Sequence, residues 1–214
     1  IISYRQMRDR PGVSLFSDIL SALRGELGAI VTGHAKGVFI AFEGGEGSGK
    51  STQSKLLKEY LESEGHTVVL TREPGGTKLG KELREILLHT HDHVSPRAEA
   101  LLYAADRAHH VYSLIRPALD SGSVVITDRY FDSSIAYQGA GRVLQPSEVA
   151  RINRWATEQL TPTLTIILDL PAEVGIGRLT SKDRLEEEPL DFHERVRSEF
   201  LNLANVDPDR YAVI

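Results

Sequence analysis

A glycine-rich segment, FEGGEGSGKSTQ, occupies residues 42–53 and constrains the fold more than any other stretch. Gly44, Gly49, Lys50 and Ser51 satisfy the pattern G-x-x-x-x-G-K-[ST], and an apolar run precedes them while a segment of helical period follows. Without side chains on the glycines, successive backbone N–H groups can surround phosphate oxygens at the start of a helix. The lysine then reaches the outer phosphates and the serine hydroxyl is a magnesium ligand. The segment therefore predicts a nucleoside triphosphate site.

The rest of the chain alternates short apolar runs with segments of helical period. The runs VFIAFE, TVVLTR, SVVITD and LTIILDL read as strands buried on both faces, and the final YAVI also has strand composition. Alternation of this kind is typical of βαβ units. We expect an α/β fold with a doubly wound parallel sheet, whose ligands bind at the carboxyl ends of the strands.

Composition sets limits on the class of protein. With 214 residues, 41% of them hydrophobic, the chain can build one good core and at most two domains. A formal net charge of -5 argues against a general nucleic-acid binder. The absence of cysteine excludes disulfides and thiolate metal sites. No apolar run of about 18 residues and no signal-like N-terminus is seen, so we expect a cytoplasmic protein.

Arginines cluster at the ends of two predicted strands and on one helix. TREPGGT places Arg72 at the end of a strand, and TDRYFDSSIAYQG places Asp128 and Arg129 at the end of another. Because adjacent strand ends converge, the two arginines can clamp a second phosphate opposite the glycine-rich loop. In YAADRAHH, Tyr103 and Arg107 lie four residues apart on one helix face, which suits a flat heterocycle with a carbonyl edge.

The loop alone leaves the reaction open, since switch GTPases, motor ATPases and small-molecule kinases all share it. The guanine-binding string N-K-x-D is absent, and the nearest string, TSKD at residues 180–183, has the wrong order. The core motif of adenylate kinases is also missing.

Five blocks in fixed order, FEGGEGSGKST, REPGGT, LLYAADRA, DRYFDSSIAYQG and DRLEEEPLDFHERVR, resemble the thymidylate kinases of the bacterial type from about Val38 onward. This resemblance implies a P-loop nucleoside monophosphate kinase fold with five parallel strands flanked by helices. It also implies transfer of the γ-phosphoryl group of ATP to dTMP with Mg²⁺ as cofactor, and a homodimer packed through helices. A kinase for another nucleoside monophosphate and a non-catalytic nucleotide-binding domain are the alternatives.

The resemblance also implies a role for each matching residue. Residues that contact ATP are Gly44, Gly45, Glu46, Gly47, Ser48, Gly49, Lys50, Ser51 and Thr52, and the metal ligands are Ser51 and Asp128. Residues that bind dTMP are Glu46, Arg72, Tyr103, Arg107, Arg129, Tyr130, Ser134 and Gln138. Within this set, Glu46 meets the 3′-hydroxyl, Arg72 and Arg129 hold the phosphate, and Tyr103 stacks on thymine. Arg107 donates to the carbonyl edge of the base, Ser134 and Gln138 line its pocket, and Tyr130 packs near the deoxyribose.

Catalysis is expected to depend on positive charge rather than on a general base, because the acceptor phosphate oxygen is already anionic. The phosphate loop carries Gly47 and Ser48 where one type of the family has a basic residue, so the lid must supply it. The candidate lid, about residues 177–188, is some three residues shorter than the family pattern. The predicted catalytic residues are Lys50, Asp128, Arg129, Arg178 and Arg184.

The pattern divides the chain into an N-terminal extension, residues 1–36, and a thymidylate kinase domain, residues 37–214. The extension contains a predicted amphipathic helix followed by the linker TGHAKG; its apolar positions are Leu15, Phe16, Ile19, Leu20, Leu23 and Leu27. This helix is expected to pack on the kinase domain or on a partner, with a membrane-surface helix as the alternative. The extension also resembles the tail that follows a membrane domain in fused actinobacterial kinases. At the other end, the family continues past YAVI, so the C-terminus is expected to be truncated.

Overall fold

The computed structural model describes residues 15–21, 37–90, 94–142 and 144–214. Their centre is a sheet of five parallel strands in the order β2-β3-β1-β4-β5. The strands are β1 (Val38–Glu43), β2 (Val68–Arg72), β3 (Val124–Asp128), β4 (Leu164–Ile167) and β5 (Tyr211–Val213). The predicted α/β class and parallel sheet are therefore confirmed, and YAVI forms an edge strand.

Helices cover both faces of this sheet. Within the described residues they are α1 (residues 15–21), α2 (Lys50–Ser63), α3 (Lys78–His89), α4 (Pro96–His110), α5 (Arg116–Asp120), α6 (Phe131–Ser134), α7 (Pro146–Ala156), α8 (Ala172–Gly177) and α9 (Leu190–Val206). Two π-helical segments, Val111–Ile115 and Ile135–Gly141, continue α4 and α6. None of the described helices is long and apolar enough to cross a membrane.

The core has an apolar layer on each face of β1, because side chains alternate along a strand. Val38, Ile40 and Phe42 face one layer, which also contains Leu57 and Leu61 of α2. Phe39 and Ala41 face the other layer, which also contains Val111 and Ile115 of the π-helical segment after α4 and Leu119 of α5. Every residue of β1 is buried, as expected for a central parallel strand.

Part of the N-terminal extension packs on this core. Phe16, Ile19 and Leu20 of α1 are buried in the layer formed by β1 and α2, and the Phe16 ring meets Tyr60 edge to face at 6.2 Å. The sequence leaves packing on the main domain or on a partner open, and residues 15–21 pack on the main domain. The remaining helical positions, Leu23 and Leu27, and most of the linker lie outside the described residues.

Strand register brings the predicted site residues to one edge of the sheet. Phe42 in β1 and Arg72 in β2 both pair with Asp128 at the end of β3. The loops that follow these three strands therefore leave the sheet side by side. The glycine-rich loop follows β1, REPGGT continues β2, and Arg129 directly follows β3.

Candidate active site

The phosphate loop has the backbone geometry that its glycines permit. Gly44, Gly47 and Gly49 have φ values of 130°, 64° and 97°. A Cβ atom at Gly44 would lie 2.5 Å from the carbonyl oxygen of Leu168, whereas one at Gly45 or Gly49 would meet nothing within 4 Å. The loop thus packs tightly on one side and leaves its backbone open on the other. The open side, at the start of α2, is the predicted phosphate cradle.

Lys50 lies under the cradle with its ammonium group pointing at the loop. Its Nζ donates to the carbonyl oxygens of Gly44 and Gly45 at 3.1 and 2.7 Å, and only 7% of the residue is exposed. Burial, followed by repulsion from Arg129, lowers the pKa of Lys50 to about 8, although Glu46 and Asp128 oppose the shift. A phosphate in the cradle would restore the missing negative charge around this lysine.

The predicted metal ligands are adjacent. The hydroxyl of Ser51 donates to Oδ2 of Asp128 at 2.5 Å across the junction between α2 and β3. A hydroxyl and a carboxylate are the hard oxygen ligands that Mg²⁺ prefers, so the pair fits this ion. The described part of the chain holds no group of three or more His, Cys, Asp or Glu side chains suited to a metal. Phosphate oxygens and water would therefore complete the coordination shell.

Two pockets adjoin at the carboxyl end of the sheet. The donor pocket is lined by the phosphate loop with Glu46, Gly47, Gly49, Lys50, Ser51, Thr52, Arg72, Glu73, Arg84, Asp128, Arg129, Leu179 and Glu186. The acceptor pocket is lined by Glu46, Glu73, Pro74, Arg84, Leu88, Tyr103, Arg107, Arg129, Ser133, Ser134, Tyr137, Gln138, Asp183, Leu185 and Glu186. Five residues line both: Glu46, Glu73, Arg84, Arg129 and Glu186. Two molecules bound in these pockets would meet at this shared wall.

Arg129 and Glu46 form the charged centre of the shared wall. Arg129 Nη2 donates to Glu46 Oε1 at 2.6 Å, and its Nη1 donates to the Gly44 carbonyl oxygen at 3.2 Å. The Tyr137 hydroxyl donates to the same Glu46 oxygen at 2.7 Å. Burial alone would raise the pKa of Glu46, but Arg129, Lys50 and Tyr137 outweigh it and lower the pKa to about 2. Glu46 is thus ionised at neutral pH and accepts hydrogen bonds only.

A buried carboxylate holds the backbone around Arg129. The residue has a φ of 74°, a left-handed conformation that costs a non-glycine residue about 1–3 kcal/mol. Glu43 at the end of β1 accepts hydrogen bonds from the backbone N–H groups of Tyr130 and Ser133 at 2.8 and 3.1 Å. Its Oε2 accepts from the Ser133 hydroxyl at 2.6 Å, and Ser133 in turn accepts from Arg129. Burial, with repulsion from Asp132, raises the pKa of Glu43 to about 7.

The inner part of the acceptor pocket contains the residues predicted for the base. Tyr103, Ser134 and Gln138 line it together, as does the buried Arg107. Arg107 donates to Glu73 Oε2 at 2.6 Å and to the Ser134 hydroxyl at 3.0 Å.

Arg107 also donates to the Asn153 side chain and to the Tyr130 carbonyl oxygen. Four of its N–H groups therefore bind other described residues. A guanidinium has five such donors, so the contacts to described residues leave one of the five for a ligand.

Comparison with known proteins agrees with this geometry. Residues 42–214 match the thymidylate kinase family. This chain belongs to the thymidylate kinase family. A thymidylate kinase of Clavibacter michiganensis is 60% identical over 182 residues, which cover 83% of this chain and 86% of the relative. One of Bifidobacterium longum is 52% identical over 183 residues, 83% of this chain and 89% of the relative. The crystal structure of thymidylate kinase from Ehrlichia chaffeensis has a TM-score of 0.70 and 38% identity, covering 83% of this chain and 87% of that one.

The structure corrects the prediction for Tyr130, whose side chain lies in the core rather than beside a sugar. The residue is fully buried against Phe39, with ring centres 4.9 Å apart, and its hydroxyl donates to the Leu160 carbonyl oxygen. It lines neither pocket. The left-handed conformation of Arg129 turns the next side chain inward, which a sequence pattern does not reveal. Tyr137 lies next to Glu46 instead.

The two predicted lid arginines lie at different places. Arg178, just after α8, donates to the Gly47 carbonyl oxygen at 3.0 Å and so contacts the phosphate loop. Arg184 lines neither pocket and donates to the Leu87 carbonyl oxygen at 2.9 Å and to Glu99 at 2.6 Å. The buried carboxylate of Glu99 holds the Arg184 guanidinium away from both pockets, so the catalytic role of Arg184 stays a prediction.

Arg72 lies on the donor side of the shared wall. Its exposed side chain lines the donor pocket but not the acceptor pocket. Arg84 of α3, which the sequence analysis missed, lines both and donates to the Pro74 carbonyl oxygen at 3.1 Å. No motif marks Arg84, since only the packing of α3 against REPGGT brings it to the wall.

Tyr137, Glu43 and Glu99 are further residues at the site that sequence analysis missed. A signal did exist for Tyr137, because Ser134, Tyr137 and Gln138 have the i, i+3, i+4 spacing of one helix face. Glu43 and Glu99 looked like ordinary acids in a strand and a helix. Their burial is a tertiary property that no local pattern shows.

Proposed function

We propose that the protein transfers the γ-phosphoryl group of ATP to dTMP, giving ADP and dTDP in the pathway to dTTP. The observation that carries this proposal is the wall shared by the donor and acceptor pockets. A triphosphate in the cradle would point its outer phosphate at Arg129 and Arg84, and a nucleoside monophosphate in the acceptor pocket would point its phosphate at the same residues. Direct transfer between two nucleotides requires this tail-to-tail arrangement.

The main barrier to transfer is the repulsion between two polyanions. Lys50, Arg129 and Arg84 place positive charge around the meeting point, and Arg178 adds a guanidinium that contacts the phosphate loop at Gly47. Fixed charges of this kind stabilise the charge on the transferring group without reorganising. Orientation of the two phosphates in line contributes as well, by up to about 7–11 kcal/mol for ideal positioning. No general base is needed, because the attacking oxygen is already ionised.

Magnesium would be held by Ser51 and Asp128 at the mouth of the phosphate loop. When bound, Mg²⁺ would neutralise part of the negative charge of the outer phosphates. Asp128 lies at the end of β3, directly before Arg129, and its carboxylate would be the negatively charged ligand of this site.

The acceptor pocket suits a thymidine nucleotide. Tyr103 offers a ring for stacking, and Arg107, Ser134 and Gln138 offer polar groups for the edge of the base. Glu46 and Tyr137 lie between this inner end and the phosphate side, where they would contact the sugar. The ionised Glu46 would accept a hydrogen bond from the 3′-hydroxyl.

An acceptor series tests the proposed function. We expect a coupled assay of ADP release with ATP and each of dTMP, dUMP, dGMP, CMP and AMP to give the highest kcat/KM with dTMP. Higher efficiency with another acceptor would identify the protein as a different nucleotide kinase. Binding of ATP and dTMP without formation of dTDP would identify a non-catalytic nucleotide-binding domain.

A substitution at Glu46 tests the sugar contact. We expect Glu46→Gln to lower kcat/KM for dTMP by about tenfold or more, the loss typical of one hydrogen bond to a charged group. The 3′-deoxy analogue of dTMP lacks the hydroxyl donor, so Glu46→Gln should lower kcat/KM for this analogue much less than for dTMP. An equal loss with both nucleotides would mean that Glu46 acts only by holding Arg129.

The low pKa of Lys50 predicts a pH dependence for the use of ATP. The charged form of a lysine exists below its pKa, and here burial brings that value down to about 8. At saturating dTMP, kcat/KM for ATP should therefore be level near pH 7 and fall as pH rises through about 8. Lys50→Met should show no such fall, and a wild-type profile that stays level to pH 9.5 would contradict the prediction.

We also propose that the enzyme is a homodimer, as the family resemblance implies. Its proposed location is the cytoplasm, where ATP for a biosynthetic step is available. The neighbouring helices α3 and α4 carry exposed apolar side chains, among them Ile86 and Leu101, which suit a helical interface. Light scattering coupled to gel filtration should give twice the mass of the chain; the monomer mass would exclude the dimer.

Fusion of residues 1–36 to a membrane domain stays a prediction, since most of that segment lies outside the described residues.

A further inference from the structure

Glu99 is a buried acid at the base end of the acceptor pocket that the mechanism does not use. It lies on α4 one turn before Tyr103 and is 0% exposed. One of its oxygens, Oε1, accepts from Nε2 of Gln138 at 3.0 Å and from Arg142 at 3.3 Å. The other, Oε2, accepts from Arg184 at 2.6 Å and from Arg142 at 3.3 Å.

These contacts keep Glu99 ionised. Burial alone would raise the pKa of Glu99, but the hydrogen bond from Gln138, the charge of Arg142 and the hydrogen bond from Arg184 outweigh burial and lower it. An ionised carboxylate has no hydrogen to donate. The end of the Gln138 amide that faces Glu99 must therefore be the NH₂ group, which removes the usual ambiguity between amide oxygen and nitrogen.

The opposite end of the amide belongs to the pocket. Gln138 lines the acceptor pocket beside Ser134 and Arg107. Within the parts of the chain that the structure describes, its Oε1 accepts no hydrogen bond and is not among the buried atoms that lack a partner. Gln138 therefore presents its carbonyl oxygen, a hydrogen-bond acceptor, to the pocket.

We propose that Glu99 is a positioning residue that sets the base preference of the enzyme by locking the Gln138 amide with its carbonyl oxygen toward the acceptor. This inference rests on the proposed function. A base that carries N–H at ring position 3, as thymine and uracil do, can donate to that oxygen. Cytosine carries a lone pair at the same position, so two acceptors would face each other. A buried polar group left without its partner costs far more than a lost apolar contact.

The Arg107 network is separate from this lock. Arg107 contacts Glu73, Ser134, Asn153 and Tyr130 rather than Glu99 or Gln138. A change at Glu99 therefore alters the orientation of Gln138 while leaving the other polar contact to the base in place. This separation makes the proposal testable by substitution.

The experiment compares dTMP with dCMP as acceptors for the full chain. Glu99→Gln is isosteric and can present either an oxygen or an NH₂ group, so it frees the Gln138 amide to turn. We expect the ratio of kcat/KM for dTMP to that for dCMP to fall by about tenfold or more, with KM for ATP unchanged. Gln138→Met should lower the ratio by a similar factor. In the Gln138→Met background, Glu99→Gln should change the ratio by less than about twofold, because its effect acts through Gln138.

Arg142→Lys is the matched control, since it disturbs the hydrogen bonds from Arg142 to Glu99 but keeps the positive charge that helps to hold Glu99 ionised. It should leave the ratio within about twofold of wild type. An unchanged ratio in Glu99→Gln or in Gln138→Met, or equal losses with both nucleotides, would overturn the proposal.

A crystal structure of the wild-type enzyme with dTMP gives a measurement that needs no variant. Thymine N3 should lie about 3 Å from Gln138 Oε1 while Nε2 contacts Glu99. Thymine N3 bound elsewhere would also overturn the inference. A wild-type enzyme that does not favour dTMP among the acceptors would instead refute the proposed function and this inference with it.

Discussion

Arg129→Ala is expected to lower kcat/KM for dTMP by about a thousandfold, the scale of arginines that stabilise a transferring phosphoryl group. Arg129 carries the half-buried guanidinium at the wall between the two pockets. Its loss removes a positive charge from the shared wall and deprives Glu46 of its ion-pair partner beside the acceptor. Steady-state kinetics with dTMP as the varied substrate would measure the loss.

The affinity for ATP should change much less. Arg129 contacts the phosphate loop through one hydrogen bond to the Gly44 carbonyl oxygen, while Lys50 and the loop backbone remain. Calorimetry should show the Kd for ATP within about fivefold of wild type, a loss of the size of one hydrogen bond. Arg195→Ala, which removes an exposed arginine paired with Asp191, is the control and should leave both parameters unchanged. Equal losses for dTMP and ATP would mean that Arg129 supports the phosphate loop rather than the acceptor.

Lys50→Met is expected to have the second large effect, a fall in kcat of about a thousandfold, because the charge that faces the outer phosphates of ATP is removed. Methionine keeps most of the length of the side chain, so the packing beneath the loop should survive. The dTMP affinity should stay close to wild type, since Lys50 lines the donor pocket and not the acceptor pocket.

A second lysine on the same helix provides the control. Lys58 of α2 forms a surface ion pair with Glu62 at 3.0 Å and lies outside both pockets. Lys58→Met should leave kcat within about twofold of wild type, because exposed ion pairs contribute little. A Lys50→Met enzyme that kept a tenth or more of wild-type kcat would contradict this prediction. It would show that the charge of Lys50 contributes little to the transfer step.

Both substitutions test the same physical idea, that positive charge fixed at one wall lowers the barrier between two negatively charged nucleotides. The wall is rigid because buried groups hold it. Glu43 anchors the turn that carries Arg129, and Glu73 anchors Arg107 in the lining of the acceptor pocket. Charges held in this way do not need to reorganise as the phosphoryl group moves.

Local features of this protein could be predicted from the sequence. The phosphate loop, its strand and its helix depend on contiguous residues, so the pattern around Lys50 specified them. Strand runs separated by helical segments specified a parallel sheet, and the position of Arg129 after a strand placed it at the ligand-binding edge. These features follow from backbone conformation and side-chain period, which are properties of short stretches of chain.

Tertiary structure alone decided which neighbouring side chain faces the cleft. Tyr130 entered the core and Tyr137 the site, because a left-handed residue and a π-helical segment lie between β3 and the acceptor pocket. Arg178 reached the phosphate loop while Arg184 was held by the buried Glu99. Burial of Glu43 and Glu99 depends on contacts between residues far apart in the chain. A sequence pattern records which groups are available, and long-range packing determines where each of them points.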